Sequence, residues 1–167
     1  AASILEPISA AEFAKAVSAL NKRAANGPDH FPGYLFAHLD PSTQEQVRRL
    51  FNSVLVGPQR SLPPSWQRGK VILLPKDESR LMADPAKTRP ITLLASDYRL
   101  FSLILTRRLK AILGPVLHHA QHGFLPGRSA CDAIAQVCAC LEDSIEFAKP
   151  IVFASLDITK AFDSSVP

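Results

Sequence analysis

The stretch that decides the fold is Lys70-Val71-Ile72-Leu73-Leu74-Pro75-Lys76, answered across a charged loop by Arg89-Pro90-Ile91-Thr92-Leu93-Leu94. The first run is short and apolar, with Pro63-Pro64 breaking the chain upstream and Pro75 closing it, which suits a buried strand. The second is a strand candidate of similar length. The loop between them, Asp77 to Thr88, is too charged to pack, so the pair reads as a hairpin with a cation at each shoulder, Lys76 and Arg89.

Helical patterns lie on both sides. Ser9-Ala10-Ala11-Glu12 has the form of a capping box, and Phe13, Val17 and Leu20 follow at helical spacing, so a first helix is expected to run to the Asn26-Gly27 turn. Asp40-Pro41 supplies an N-cap with proline at the first helical position. Val47, Leu50, Phe51, Val54 and Leu55 then form a buried stripe, stopped by Gly57-Pro58. Downstream of the hairpin, Ser96 is the expected cap of a helix carrying Leu100, Phe101, Ile104, Leu105, Leu109 and Ile112. Arg107, Arg108 and Lys110 fall mostly off its apolar stripe, and Gly114-Pro115 end it. A second capping box, Ser129-Ala130-Cys131-Asp132, opens a helix with Ile134, Val137, Cys138, Leu141 and Ile145 toward the core. Pro150 precedes a last apolar run, Ile151 to Leu156, read as a buried strand with Asp157 at its carboxyl end.

Composition sets the class. With 167 residues, 47% hydrophobic and 20% charged, the chain has the apolar content for one buried core. The net charge of +4 is a mild tilt toward polyanions, concentrated between Arg60 and Lys110. Cys131, Cys138 and Cys140 lack paired zinc spacing and read as small core residues in a reducing compartment. No apolar run is long enough for a membrane span and the first residues do not form a signal peptide, so no membrane is expected, and a nuclear and cytoplasmic location is. His118, His119 and His122 sit in a polar loop without a cysteine or carboxylate at ligand spacing, which argues against a metal there.

An aspartate at the end of a buried strand offers a hard oxygen ligand for Mg²⁺, although a turn or helix cap uses the same residue type. The order of several phrases narrows the choice. Gly27-Pro28-Asp29, Leu74-Pro75-Lys76, Arg89-Pro90-Ile91-Thr92-Leu93-Leu94, Asp97-Tyr98-Arg99, Gln121-His122-Gly123-Phe124 with Gly127-Arg128-Ser129, and Leu156-Asp157-Ile158-Thr159-Lys160-Ala161-Phe162-Asp163 resemble, in order, those of the reverse transcriptases of non-LTR (LINE-type) retrotransposons.

That resemblance implies an α+β fold: a helix-rich fingers subdomain with a short β-hairpin and the first strand of a right-hand polymerase palm, the palm incomplete. It divides the chain into a helical extension of the fingers (1–64), fingers with the start of the palm helices (65–150), and the first palm strand with its aspartate motif (151–167). Asp157 resembles the first catalytic, metal-binding aspartate, with the Ile158 carbonyl on the same ion and two Mg²⁺ in the complete enzyme. Lys76, Arg89, Phe162 and Gln121 are implied dNTP contacts, Phe162 as the ring that excludes a 2′-hydroxyl. Gly27, Pro28, Asp29, Phe124 and Arg128 are implied template contacts.

The implied partners are an RNA template, a DNA primer, dNTP and the remainder of the palm and thumb, with self-association through uncovered apolar surface. No aromatic-x-Asp-Asp turn occurs in the 167 residues, so the chain alone is expected to be inactive as an RNA-directed DNA polymerase. A non-catalytic nucleic-acid-binding module derived from such an enzyme is the alternative, and a helical interaction domain is the third reading.

Overall fold

A computed structural model describes residues 4–21, 23–58, 61–75 and 88–158. Four α-helices, α1 (Ala10–Ser18), α2 (Pro41–Val56), α3 (Ser96–Leu113) and α4 (Ala130–Glu146), accompany strands β1 (Gly69–Pro75) and β2 (Thr88–Leu94). Short 3₁₀ helices occupy Gly33–His38 and Pro64–Gln67. The chain divides into two compact units, residues 1–116 and 117–167.

The core of the first unit is aromatic. Phe51 of α2 is fully buried, and its ring centre lies 5.9 Å from Phe13, 5.9 Å from Trp66 and 5.3 Å from Phe101. Trp66 in turn contacts Tyr98 at 5.2 Å and Phe101 at 5.0 Å. Tilted pairs at this spacing contribute roughly 0.5–1.5 kcal/mol each beyond the area they bury. Rings from α1, α2, the Pro64–Gln67 turn and α3, the last supplying both Tyr98 and Phe101, meet here, so these elements share one interior.

Polar groups fasten the ends of these elements. Asn52 brackets the backbone of the fully buried Ile8: its Oδ1 accepts from the Ile8 N–H at 2.6 Å and its Nδ2 donates to the Ile8 carbonyl at 3.2 Å. Arg48 Nη1 adds a bond to that carbonyl at 2.7 Å, while its remaining nitrogens hold Glu45. Arg48 and Arg49 together pull the Glu45 carboxyl down to about 2. Asp40 caps α2, accepting from the Thr43 N–H at 3.0 Å, and Pro41 opens the helix as expected.

Several expectations change. α1 is capped by Ser9, but Glu12 does not complete the box; its carboxylate instead takes both forks of Arg108, at 2.7 and 2.6 Å. The helix stops at Ser18 rather than near Asn26-Gly27. Asn21 provides the reason, since its Oδ1 accepts from the Arg23 N–H at 2.9 Å and its carbonyl accepts from Ala24, a local alternative to helical bonding. Ser96 is the first residue of α3 and not its cap. Leu50 and Leu109 lie at the edges of their helices, 41% and 40% exposed.

The hairpin forms, antiparallel, with Gly69 opposite Leu94 and Pro75 opposite Thr88. It is not buried: Val71, Leu73, Leu74 and Ile91 are 57%, 41%, 44% and 42% exposed, because among the described residues the sheet has two strands. In the second unit α4 carries the complete reciprocal capping box of Ser129 and Asp132, yet none of its residues is buried. Ile134, Val137, Leu141 and Ile145 are exposed, as are Cys131, Cys138 and Cys140, which are therefore not core residues. No second helix or sheet exists among the unit's described residues to cover them. The strand expected at 151–156 is likewise absent; residues 151–158 have no ladder partner, and Val152 and Leu156 are 92% and 94% exposed.

Arg108 also donates to the carbonyls of Ile4 and Glu6, at 2.8 and 2.5 Å, and its side chain is 11% exposed. Arg108→Ala is expected to lower unfolding free energy by about 2–3 kcal/mol, through a lost charged hydrogen-bond network and an orphaned Glu12. The Arg108 hydrogen bonds hold the Glu12 carboxyl below its ordinary value of 4.5. A depressed folded value means the contribution is complete above 4.5 and disappears as pH falls through the lower folded value. In urea titrations the gap between wild type and variant should therefore shrink between about pH 7 and about pH 3.

Candidate nucleic-acid and metal site

The residues singled out from sequence fall in both units. Arg89 lies on β2 opposite Leu74, exposed, and the alternation of the pleat puts it on the same hairpin face as Lys70, the partner of Leu93. Four residues of strand separate the two cationic positions, about 13 Å at the usual rise. Ile72 and Ile91 pair between them, so the face is apolar in its middle and positive at both ends. Lys76, expected at the shoulder beside Arg89, and Phe162 lie outside the described residues.

Gly27, Pro28 and Asp29 are drawn into the fold itself. A Cβ on Gly27 would sit 2.1 Å from the Leu94 carbonyl oxygen, so only glycine permits this approach to the end of β2. Asp29 Oδ2 accepts from the Ser96 N–H at 2.7 Å and caps α3 from a distance of 67 residues. Ser96 Oγ, itself buried, donates to the Phe31 carbonyl at 2.5 Å. Trp66 Nε1 donates to Asp97 Oδ2 at 2.8 Å in the same turn. Spacing gives no hint of any of these bonds.

In the second unit the loop from His118 to Arg128 is built around one side chain. Arg128 Nη1 donates to the carbonyls of His118, His119 and Gln121, at 2.7, 3.1 and 2.8 Å. Gln121 turns its Nε2 to the Gly123 carbonyl at 3.2 Å. Phe124 is left 91% exposed at φ 63°, a left-handed conformation that costs a non-glycine residue about 1–2 kcal/mol. A bulky ring held out in solvent on a strained backbone is a marker of function. Gly127, at φ 73°, supplies the turn before Arg128.

Asp157 and Ile158 are exposed at the end of the described chain, and no hydrogen bond or ion pair to another described residue engages the Asp157 carboxylate. A free carboxylate beside an exposed carbonyl suits one hard cation that keeps most of its waters. Among the described residues no three His, Cys, Asp or Glu side chains gather into a metal-holding group, and no helix is long and apolar enough to cross a membrane. Three arginines are ion-paired internally, Arg48 and Arg49 sharing the single Glu45 carboxylate and Arg108 paired with Glu12. No ion pair to a described carboxylate is present at Arg68, Lys70, Arg89, Arg99, Arg107 or Lys110.

A polymerase family is the class to which these elements correspond. The family model described as "Reverse transcriptase (RNA-dependent DNA polymerase)" matches residues 74–165, more than half of the chain, which belongs to that family. The chain is similar to proteins of transposable elements. It is 35% identical over 103 residues to the Transposon TX1 uncharacterized 149 kDa protein of Xenopus laevis, 61% of this chain and 8% of that protein. It is 30% identical over 151 residues to the Retrovirus-related Pol polyprotein from type-1 retrotransposable element R2 of Nasonia vitripennis, 86% of this chain and 13% of that one. The corresponding R2 polyprotein of Bradysia coprophila is 27% identical over 159 residues, covering 95% and 17%. The chain thus spans less than a fifth of the length of these relatives.

If Asp29 serves the fold, Asp29→Ala should reduce stability by about 1 kcal/mol, the usual loss for a removed N-cap. Gly27→Ala should cost more, since backbone must move to admit the methyl. Thermal melts of both variants without nucleic acid check this; melts unchanged from wild type would release the segment from its structural role.

Proposed function

We propose that this chain is the fingers side and the beginning of the palm of an RNA-directed DNA polymerase, and that it grips an RNA template, a DNA primer and the incoming dNTP. The observation that carries the reading is the hairpin face bearing Lys70 and Arg89, neither of them ion-paired to a described carboxylate, in a chain of the reverse transcriptase family. Phosphates are the anions such a face would meet. An arginine fork binds two phosphate oxygens at once, and a lysine supplies a point charge beside it.

The roles follow by position. Arg89, with Lys76, would hold the nucleotide phosphates, and Gln121 and Phe162 would border the nucleotide. Phe124 would stack on a template base while Arg128 holds its loop in shape. Of Gly27, Pro28 and Asp29, the exposed Pro28 and Asp29 would face the template, with the buried Gly27 anchoring them to the end of β2. Asp157 and the Ile158 carbonyl would take one Mg²⁺, whose charge offsets that of the phosphates at the reacting centre. Residues 1–64 would form the helical extension of the fingers, 65–150 the fingers with the first palm helices, and 151–167 the start of the palm. The exposed faces of α4 and of residues 151–158 would be covered by the remaining palm or by a second copy. Intracellular function, nuclear and cytoplasmic, accords with three unpaired thiols.

One observation favours a non-catalytic role for the chain by itself: no aromatic-x-Asp-Asp turn accompanies Asp157 in the 167 residues. The purified chain should bind a labelled RNA–DNA duplex with log affinity falling linearly in log salt, and should not extend the primer. Absence of binding at low salt would overturn the nucleic-acid reading, and primer extension would overturn the inactivity.

Phe124→Gly separates recognition from folding. Relief of the left-handed strain should hold or raise stability by up to about 1 kcal/mol. Loss of a stacking ring should weaken binding by about 1–3 kcal/mol. Calorimetric melts and anisotropy on the same preparation give both signs.

A further inference from the structure

Between the Ala24-Ala25 segment and the end of β2 lies a recess of about 280 Å³, lined by Ala24, Ala25, Thr92, Leu93, Leu94 and Arg99. Arg99 is its one charged lining residue among those described. Its Nη1 donates to the Ala25 carbonyl at 2.8 Å, which fixes the guanidinium across the recess and leaves the other fork without a described partner. Among the described residues no carboxylate lines the recess, and Asp97, two residues away in sequence, is occupied by Trp66 and by the Tyr98 N–H. Arg48, Arg49 and Arg108 show that carboxylates neutralise other arginines of this unit. Arg99 is half-buried without one. A partly desolvated cation with donors to spare is a site for an anion.

We infer that Arg99 and this recess form a phosphate site that takes a backbone phosphodiester of the bound nucleic acid, a contact separate from the hairpin face. The inference rests on the nucleic-acid reading above. Tetrahedral phosphate oxygens match the remaining guanidinium fork, and the small walls of Ala24 and Ala25 let a strand approach closely.

The experiment is anisotropy of the full 167-residue chain with a labelled RNA template annealed to a DNA primer, across a salt series, for wild type, Arg99→Gln, Arg99→Lys and Thr92→Glu. Glutamine keeps an N–H for the Ala25 carbonyl and removes the charge. Arg99→Gln should weaken binding about tenfold at low salt and reduce the salt slope by about 0.7–0.9, the value of one phosphate contact. Arg99→Lys should keep the slope. Thr92→Glu, which leaves the Arg99 anchor intact and places a negative charge in the recess, should reproduce the glutamine effect even if Arg99→Gln folds poorly. A fluorescent dNTP measured in parallel should bind all four proteins alike. Wild-type binding with unchanged slopes in Arg99→Gln and Thr92→Glu overturns the site alone. Loss confined to dNTP assigns the recess to nucleotide phosphate and overturns the backbone assignment. A wild type that binds no duplex overturns the functional reading and this inference with it.

Discussion

The first turn of α3 is where distant parts of the chain are tied together. Its leading amides need acceptors that the helix cannot supply. Asp29 provides one from 67 residues upstream, and Asp97, within the turn, ties in the indole of Trp66. Gly27 must lie against Leu94 for Asp29 to reach. The helix end, the end of β2 and the Pro64–Gln67 turn are thereby fixed relative to one another, and Arg99 is carried into position one turn later. Any account of the hairpin as a binding face depends on this junction, because β2 leaves it directly.

The aromatic interior gives that junction its rigidity. Phe51 is touched by rings from three other elements, so a shift of α3 would disturb α1 and α2 together. Arg108 works at the opposite end of α3, joining it to Glu12 and to the carbonyls of Ile4 and Glu6. The helix is held at both ends by charged hydrogen bonds and in its middle by burial. A cationic surface benefits from such a base, since its positive side chains repel each other and gain nothing from one another.

Much of this is legible in sequence, and the limits have physical causes. Local signals are reliable: Asp40-Pro41, Gly57 and the Ser129–Asp132 box each act within one turn, and each is formed. The hairpin is legible because two apolar runs flank a charged loop. Burial is not, since an apolar stripe on α4 or at 151–156 reports a need for cover and not its presence. Long-range partners are also illegible. Glu12 reads as half of a capping box until Arg108, 96 residues away, takes its carboxylate. At the site, motif order picks out Asp157, Arg89 and the Gln121–Arg128 loop. It does not reveal that Arg128 holds carbonyls, or that Arg99 has no ion pair to a described carboxylate.

The exposed hairpin carries a hazard as well as a function. Val71 and Leu73 on one face and Leu74 and Ile91 on the other are accessible and strongly β-prone in a sheet that has two strands among the described residues, the kind of segment that seeds aggregation during synthesis. Pro75 and Pro90 each remove an amide donor that an incoming strand would need, and Lys70 and Arg89 place like charges where copies would stack. These prolines and cations act as gatekeepers against self-assembly. Substitutions that make the hairpin a more regular strand pair would therefore lower the yield of soluble chain before they altered any contact with a ligand.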